Sequence, residues 1–379
     1  MKVAYVSGTR ADFGLMLPIL RAIEQSPKLK LEVYVTGIHL MPEFGLTVEE
    51  VLKEFPQVKK IDAVFETETR EGMAKFTGEF LSKVVDAFSA STPDFVLTLG
   101  DRPEMLCTAL ACLYLGVPTG QVHGGEKTST VDELARHAIT KLSHVHFPAT
   151  EESAERIIKM GEDAWRVHTV GAPALDVILG TPLPTREDVC REFDLDPTHP
   201  FMLVTQHPVS VEAEHAGEQM EQTLAAVKKI GMPAVVVYPH ADMGGRAMIE
   251  VIEKEKTNPL LRIVPSVPHT TFLALEREAA VWVGNSSGAL IESASFKTPV
   301  VNVGTRQNGR QRGGNVLDAG YSVEEITAAV EKSLHDEGYK AMLQKVQSPW
   351  GDGKTGPRVA RILEELVIDS KLLAKQISY

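Results

Sequence analysis

Two doubly wound α/β domains in tandem are the architecture predicted by this sequence of 379 residues, on three observations. Short apolar runs alternate with amphipathic stretches of helical length, a proline-dense break interrupts the series, and a second series of the same kind follows. In the first series the candidate strands are 3–7, 31–35, 61–65, 95–99, 119–122, 144–147 and 167–170. Most are unbroken apolar runs, as suits strands covered on both faces by helices. Stretches such as 15–24 and 78–90 supply those helices. Pro173, Pro182, Pro184, Pro197 and Pro200 then crowd one segment, the signature of a linker. The second series places strands at 201–205, 234–238, 261–264, 280–283 and 299–303, without detectable sequence repetition of the first. The expected organisation is a Rossmann-like domain over 1–171, a linker over 172–199 and a second Rossmann-like domain over 200–357. A tail of helices over 358–379 is expected to pack back on the first domain. Open α/β sheets bind ligands beyond the carboxyl ends of their strands, so the expected site is a cleft faced by both domains.

Charge narrows the function. Lys and Arg number 39 against 51 Asp and Glu, a net charge of −12. That balance opposes a nucleic-acid or anionic-membrane partner, whose phosphates would be repelled overall. A small anion in a local basic pocket remains compatible with it. No run of about 18 apolar residues suggests a membrane span, and the opening residues lack the apolar core of a signal peptide. A cytoplasmic location is expected. Cys107, Cys112 and Cys190 show no CxxC spacing and read as buried hydrophobes in a reducing compartment.

The unusual polar clusters sit just after strands. Gly8-Thr-Arg10-Ala-Asp-Phe-Gly14 opens a helix, where Arg10 and free backbone N–H groups suit a diphosphate; a surface Arg capping a turn is the plainer reading. Gly100-Asp101-Arg102 follows the strand at 95–99, with Asp101 either a base or orienting group, or simply a helix N-cap. The densest segment is His123-Gly-Gly-Glu126, continuing to Asp132, Glu133, Arg136 and His137. Twin glycines there let backbone approach a ligand, and the ionisable groups are candidates for proton transfer on either face of a reacting carbon. His144 and His146 share a strand face nearby, but no tight set of three ligands emerges, so no metal is expected.

In the second domain His207 follows the first strand, and His240 lies in a similar strand-end turn suited to a base or phosphate. Gly284-Asn-Ser286-Ser287-Gly288 opens a helix as an anion site, with Glu292 one turn inside and able to accept both hydroxyls of a ribose. Arg306, Arg310 and Arg312 follow the next strand, as phosphate-neutralising cations or as a solvated basic loop. The Gly284–Gly288 run also matches the G-x-S-x-G elbow of α/β-hydrolases. That fold needs an acid and then a His later in the chain, and only His335 remains, with Asp318 as its nearest acid candidate. The hydrolase reading is therefore disfavoured.

Taken in order, these segments resemble the UDP-N-acetylglucosamine 2-epimerases, specifically the hydrolysing branch that makes N-acetylmannosamine for sialic-acid synthesis. The residues that carry the resemblance are Gly8–Gly14, Gly100–Arg102, His123–Glu126, Arg136–Lys141, His207-Pro208, Gly284–Gly288 and the Arg306–Arg312 loop. The match spans about 10–320. Non-hydrolysing relatives carry His-x-Glu-Ala-Gly where this chain has His123-Gly-Gly-Glu126, a departure that points to the hydrolysing branch. The resemblance implies the glycosyltransferase-B architecture, a homodimer and no cofactor. It implies elimination of UDP from C1 to a 2-acetamidoglucal, then hydration with reprotonation of C2 from the opposite face. Asp101, His123, Glu126 and Asp132 are then the acid/base candidates. Arg10, His207, His240, Ser286, Ser287, Gly288 and Arg310 are expected at the UDP, and Glu292 at its ribose. The substrate is UDP-GlcNAc or its 2,4-diacetamido-6-deoxy analogue, UDP-diacetylbacillosamine. A retaining glycosyltransferase and a non-catalytic nucleotide-sugar sensor are the competing classes.

Overall fold

The computed structural model describes every residue except 43–44, 65–68, 128–130 and 240–242. The chain forms two compact units. Met1–Glu126, Val131–Gly180 and Trp350–Tyr379 build the first, and Thr181–Pro349 the bulk of the second. The first holds β1 (Lys2–Ser7), β2 (Lys30–Val35), β3 (Lys59–Lys60), β4 (Phe95–Leu99), β5 (Thr119–Val122) and β6 (Val145–Phe147). The second holds β7 (Met202–Thr205), β8 (Ala234–Val237), β9 (Leu261–Val264), β10 (Val281–Gly284), β11 (Val300–Val303) and β12 (Val316–Ala319). Their orders are β3-β2-β1-β4-β5-β6 and β12-β11-β10-β7-β8-β9, with every pairing parallel. Counted from each unit's first strand, both are the doubly wound order 3-2-1-4-5-6. The order reverses between β1 and β4 and again between β7 and β10. Loops leaving those strands part to opposite faces, so a crevice opens at their carboxyl ends.

The strand sequences explain why helices cover both faces. In β1, Val3 and Tyr5 point to one side and meet Phe13, Met16, Ile19 and Ile23 of the helix Arg10–Gln25. Ala4 and Val6 point to the other and meet Phe76, Phe80, Val84 and Phe88 of the helix Arg70–Ser91. In β7, Met202 and Val204 join Met220, Leu224 and Val227 of the helix Ala216–Ile230, while Leu203 joins Leu275, Trp282 and Leu290. Each face buries its own apolar set, so a one-residue slip would exchange them.

Four expectations are corrected. The run 167–170 is not a strand; it bonds beside β6 through His168 N to His146 O (2.9 Å) and Val170 N to Pro148 O (3.0 Å), with a single bridge at Val167. The strand expected at 61–65 is displaced to β3, since Ile61 and Ala63 turn into the core instead of continuing a ladder; residue 65 lies outside the described residues. β12 was not anticipated, because an edge strand that carries Asp318 offers too short an apolar run. The segment 172–199 is not a bare linker. Pro173 opens the helix Pro173–Gly180 in the first unit, as proline suits a first helical turn, and Arg186–Glu192 is a helix of the second.

The C-terminal helix Thr355–Glu365 returns to the first unit, where Val359, Ala360 and Leu363 enter its core. Beyond it, Lys375 Nζ donates to the carbonyls of Thr140 (3.1 Å), Lys141 (2.8 Å) and Ser143 (2.6 Å), closing the C-terminal end of the helix Val131–Leu142. Glu162 lies against the same lysine at 2.7 Å. Burial alone would raise the Glu162 carboxyl, but hydrogen bonds from His146 (3.1 Å), Lys141 (2.5 Å) and Lys375 outweigh it and bring its pKa to about 2. A folded pKa below the free value of 4.5 stabilises the fold above that pH and ceases to as pH falls toward 2. The melting-temperature gap between the native chain and Glu162→Gln should therefore narrow across that window. A gap independent of pH would show that the carboxylate contributes nothing through its charge.

Candidate active site

In the first unit the loop after β1 is built around Asp12. Its carboxylate accepts from the Tyr5 hydroxyl (2.9 Å), the Ser7 hydroxyl, Gly8 N (3.0 Å), Thr9 N (2.7 Å) and the Thr9 hydroxyl (3.0 Å). Thr9 answers as the N-cap, completing a capping box that rigidifies the entry to the helix Arg10–Gln25. Arg10 therefore stands at the first helical position, where its guanidinium pairs with Glu50 at 2.9 Å. Beneath this loop lies Glu104, fully buried and bonded by Arg102 at 3.2 Å. A Cβ on Gly8 would come within 2.6 Å of the Glu104 carboxylate, so glycine is needed there for the protein's own packing.

The loops after β4 and β5 meet on Arg136. This buried guanidinium donates to Asp101 and to the carbonyl of His123 (2.8 Å), and lies 3.7 Å from Glu126 Oε2. Burial works against its charge, but Asp101, Glu126 and Asp132 outweigh burial and hold it above its ordinary value. Glu126 also bonds His123 Nδ1. His123 itself has φ +58°, a left-handed conformation costly for a residue with a Cβ and one that clusters at functional sites. Asp101 is not an N-cap: Arg102 occupies that position before the helix Pro103–Leu115, leaving the Asp101 carboxylate bonded to Arg136 and about one-fifth exposed. It can take up a proton from outside while its other side is held.

The twin glycines serve a different end from the one expected. A Cβ on Gly124 would lie 2.4 Å from Gln121 Oε1, and one on Gly125 2.3 Å from the Ser153 carbonyl. The chain fills that space itself. Gln121 does not follow a strand and so is not singled out by sequence position. Its amide donates to the carbonyls of Gly100 (3.1 Å) and Arg136 (3.0 Å), and its oxygen accepts from Thr140 (2.6 Å). One side chain thus ties the β4 loop, β5 and the helix Val131–Leu142. An amide inside an otherwise buried strand was the signal. Arg136, noticed only as part of a motif, is the hub.

In the second unit the loops after β7 and β10 are joined by Asn285. Its side chain accepts from His207 N (2.7 Å) and donates to His207 O (2.9 Å), continuing the β7–β10 ladder past its last residue. The Asn285 carbonyl accepts from Arg306 (3.2 Å) and from Gln307 (2.9 Å), bringing the arginine loop to the same point. Arg310 is buried beside Gln307 at 3.3 Å. Arg312 instead secures the loop itself, bonding Asp318, the Gln307 carbonyl (2.9 Å) and the Arg310 carbonyl (3.3 Å). Ser286 is the N-cap residue of the helix Ser287–Ile291, yet its hydroxyl makes no capping bond. Gly288 and buried Glu292 follow, a Cβ on the glycine lying 3.5 Å from Glu292 Oε2. Among the described residues no hydrolase triad forms, since exposed His335 pairs with Glu331 at 3.3 Å and Asp318 with Arg312. His240 lies outside the described residues.

Asp101, His123 and Glu126 are thus brought together on Arg136, with Asp132 acting on the same cation. His207, Ser286, Ser287, Gly288, Glu292 and Arg310 gather at the switch point of the second unit.

The family model described as UDP-N-acetylglucosamine 2-epimerase matches residues 21–364. The chain is 37% identical to the UDP-N,N'-diacetylbacillosamine 2-epimerase (hydrolyzing) of Legionella pneumophila, over 100% of this chain and 99% of that one. It is 32% identical to the UDP-N-acetylglucosamine 2-epimerase of Neisseria meningitidis serogroup B, over 88% and 87% of the two chains. Among solved structures, the UDP-GlcNAc 2-epimerase from Neisseria meningitidis bound to UDP-GlcNAc superposes with a TM-score of 0.81 at 19% identity, covering 97% of this chain and 100% of that one. That likeness shows the fold, of glycosyltransferase-B type.

Proposed function

Because this chain belongs to the UDP-N-acetylglucosamine 2-epimerase family, we propose that it is a hydrolysing 2-epimerase, converting a UDP-2-acetamido sugar and water to the free 2-epimeric sugar and UDP. The observation that carries this reading is the convergence of Asp101 and Glu126 on buried Arg136, beside strained His123.

The C2 proton of such a sugar has no carbonyl beside it and is weakly acidic. As the C1–O bond to UDP breaks, positive charge builds at C1 and acidifies C2–H. A carboxylate then takes that proton, the C1–C2 double bond of the 2-acetamidoglucal forms, and UDP leaves with the bonding pair. Water next adds its oxygen to C1 and gives up one proton to a carboxylate, while another proton is delivered to C2 on the opposite face, which inverts that centre. Asp101 and Glu126 are the proton carriers. Arg136 holds them at fixed geometry, with Asp132 and His123 setting the charge around them. The leaving diphosphate is neutralised at His207, Ser286, Ser287, Gly288 and Arg310, with Glu292 accepting the ribose hydroxyls. Arg10 joins the diphosphate by exchanging its partner Glu50 for a phosphate.

Between the two candidate sugars, the name of the Legionella relative, matched along its whole length, favours the 2,4-diacetamido-6-deoxy substrate over UDP-GlcNAc. Incubation with each UDP-sugar in D₂O, followed by NMR, tests both points. The expected outcome is deuterium at C2 of a released manno-configured sugar, with faster turnover of the diacetamido substrate. Transfer of the sugar without label at C2 would instead identify a retaining glycosyltransferase, and binding without turnover a sensor.

A further inference from the structure

Two loops of the second unit are tied together by a carboxylate that the chemistry above does not use. After His207 the chain turns through Ser210–His215 into the helix Ala216–Ile230, and the turn kinks at Glu212, whose backbone leaves the helical region (φ −119°, ψ 17°). The Glu212 carboxylate accepts from the Thr305 hydroxyl (2.7 Å), the Tyr321 hydroxyl (2.7 Å) and the Gln219 amide (2.8 Å). Thr305 and Tyr321 lie 93 and 109 positions further along the chain, just beyond the ends of β11 and β12. The Tyr321 hydroxyl oxygen also accepts from Thr305 N at 3.3 Å, and its ring fills the place of a Gly304 Cβ, which would come within 2.1 Å of it. Burial works to raise the Glu212 carboxyl, but the hydrogen bonds from Thr305, Tyr321 and Gln219 outweigh it and hold it below its ordinary value.

What Glu212 fastens is the root of the arginine loop. Thr305 directly precedes Arg306 and Gln307, which bond the Asn285 carbonyl, and Gln307 in turn accepts from Arg310. Arg306, Arg310 and Arg312 repel one another within one short loop, so a loop that carries them needs an anchor. We propose that Glu212 is a positioning residue for the leaving diphosphate, holding the arginine loop to the His207 loop so that Arg310 is in place before UDP binds. Hydrogen bonds to an ionised carboxylate suit this task, being short and strong, and a cradle formed beforehand spares the cost of ordering the loop on binding. The inference rests on the reading that Arg310 meets the diphosphate of UDP.

Calorimetry with UDP, beside an NMR titration with uridine, separates positioning of the diphosphate from a general loss of structure. Glu212→Ala removes all three bonds, whereas Tyr321→Phe removes one and keeps the ring over Gly304. UDP affinity should fall by about tenfold in the first and about threefold in the second, with uridine affinity within about twofold of native in both. Because Glu212 acts through Arg310, the two should not add: in an Arg310→Ala background, Glu212→Ala should cost less than about twofold more. Equal losses for UDP and uridine, unchanged UDP affinity in Glu212→Ala, or a further loss of about tenfold on top of Arg310→Ala each overturn the proposal. Should Glu212→Ala fail to fold, Tyr321→Phe decides the matter by the same comparison of UDP with uridine. Failure of the underlying reading has its own signature: Arg310→Ala alone would bind UDP like the native chain, and the proposal would fall with it.

Discussion

Asp101→Asn should lower kcat by about 10²- to 10⁴-fold while UDP affinity stays within about twofold. The substitution keeps the shape of the side chain, and its amide oxygen still accepts from Arg136. What it removes is the lone pair basic enough to take the C2 proton. Arg136 keeps Glu126 at 3.7 Å, so its burial remains compensated and the unit should stay folded. Because Arg102, not Asp101, caps the helix Pro103–Leu115, no capping loss is expected in the melting temperature. Steady-state kinetics, UDP calorimetry and a thermal melt together make the test. Turnover within tenfold of the native enzyme would move the base elsewhere, with Glu126 next in line. A large drop in melting temperature would show that the carboxylate serves the fold instead.

Gly284→Ala should unfold or badly distort the second unit, at a cost of about 3 kcal/mol or more. Gly284 ends β10 with φ +136°, and an added Cβ would sit 1.9 Å from the Thr205 carbonyl oxygen and 2.5 Å from its carbon. Both obstacles are backbone, so no side-chain rotation relieves them. The ends of β7 and β10 would have to part, breaking the bonds between Asn285 and His207 on which the switch-point loops depend. Loss of UDP binding by more than tenfold should accompany the drop in stability. Gly217→Ala, within the helix Ala216–Ile230, is the control: the added Cβ would lie 3.7 Å from Ala247, an ordinary contact, and it should melt with the native chain. A Gly284→Ala chain that melts and binds like the native one would contradict this geometry.

Much of the fold was legible because it is written in burial. Strands covered on both faces need apolar side chains in both directions, and Val3–Val6 of β1, Met202–Val204 of β7 and Val281–Val283 of β10 supply them without interruption. Strands at or beyond the margin read poorly. β12 carries Asp318 at the edge of its sheet, and 167–170 makes strand-like bonds without becoming a ladder. Prolines misled for a related reason, since Pro173 starts a helix as readily as it ends one. For the site, position after a strand singled out Asp101, His123, His207 and Ser286, and the structure places each in the loop that follows its strand. It could not reveal supporting residues. Glu104 and Gln121 look like ordinary members of a helix and a strand, and only their neighbours in space make them polar centres. The twin glycines at Gly124 and Gly125 show the converse: in sequence they suggest room for a ligand, whereas the atoms that crowd their Cβ positions belong to Gln121 and Ser153.

By itself, then, the sequence determined the class of fold, the presence of two doubly wound units and the loops in which ionisable residues would be found. Those properties depend on local periodicity and on which residues follow an apolar run, and both can be counted along a chain. Tertiary structure alone decided which ionisable groups share a charge. Asp101 and Arg136 are 35 positions apart, and His207 and Asn285 are 78 apart, yet each pair is within hydrogen-bond reach. Parallel strands joined by helical crossovers put residues far apart in sequence at one sheet end, and electrostatic coupling depends on distance through space.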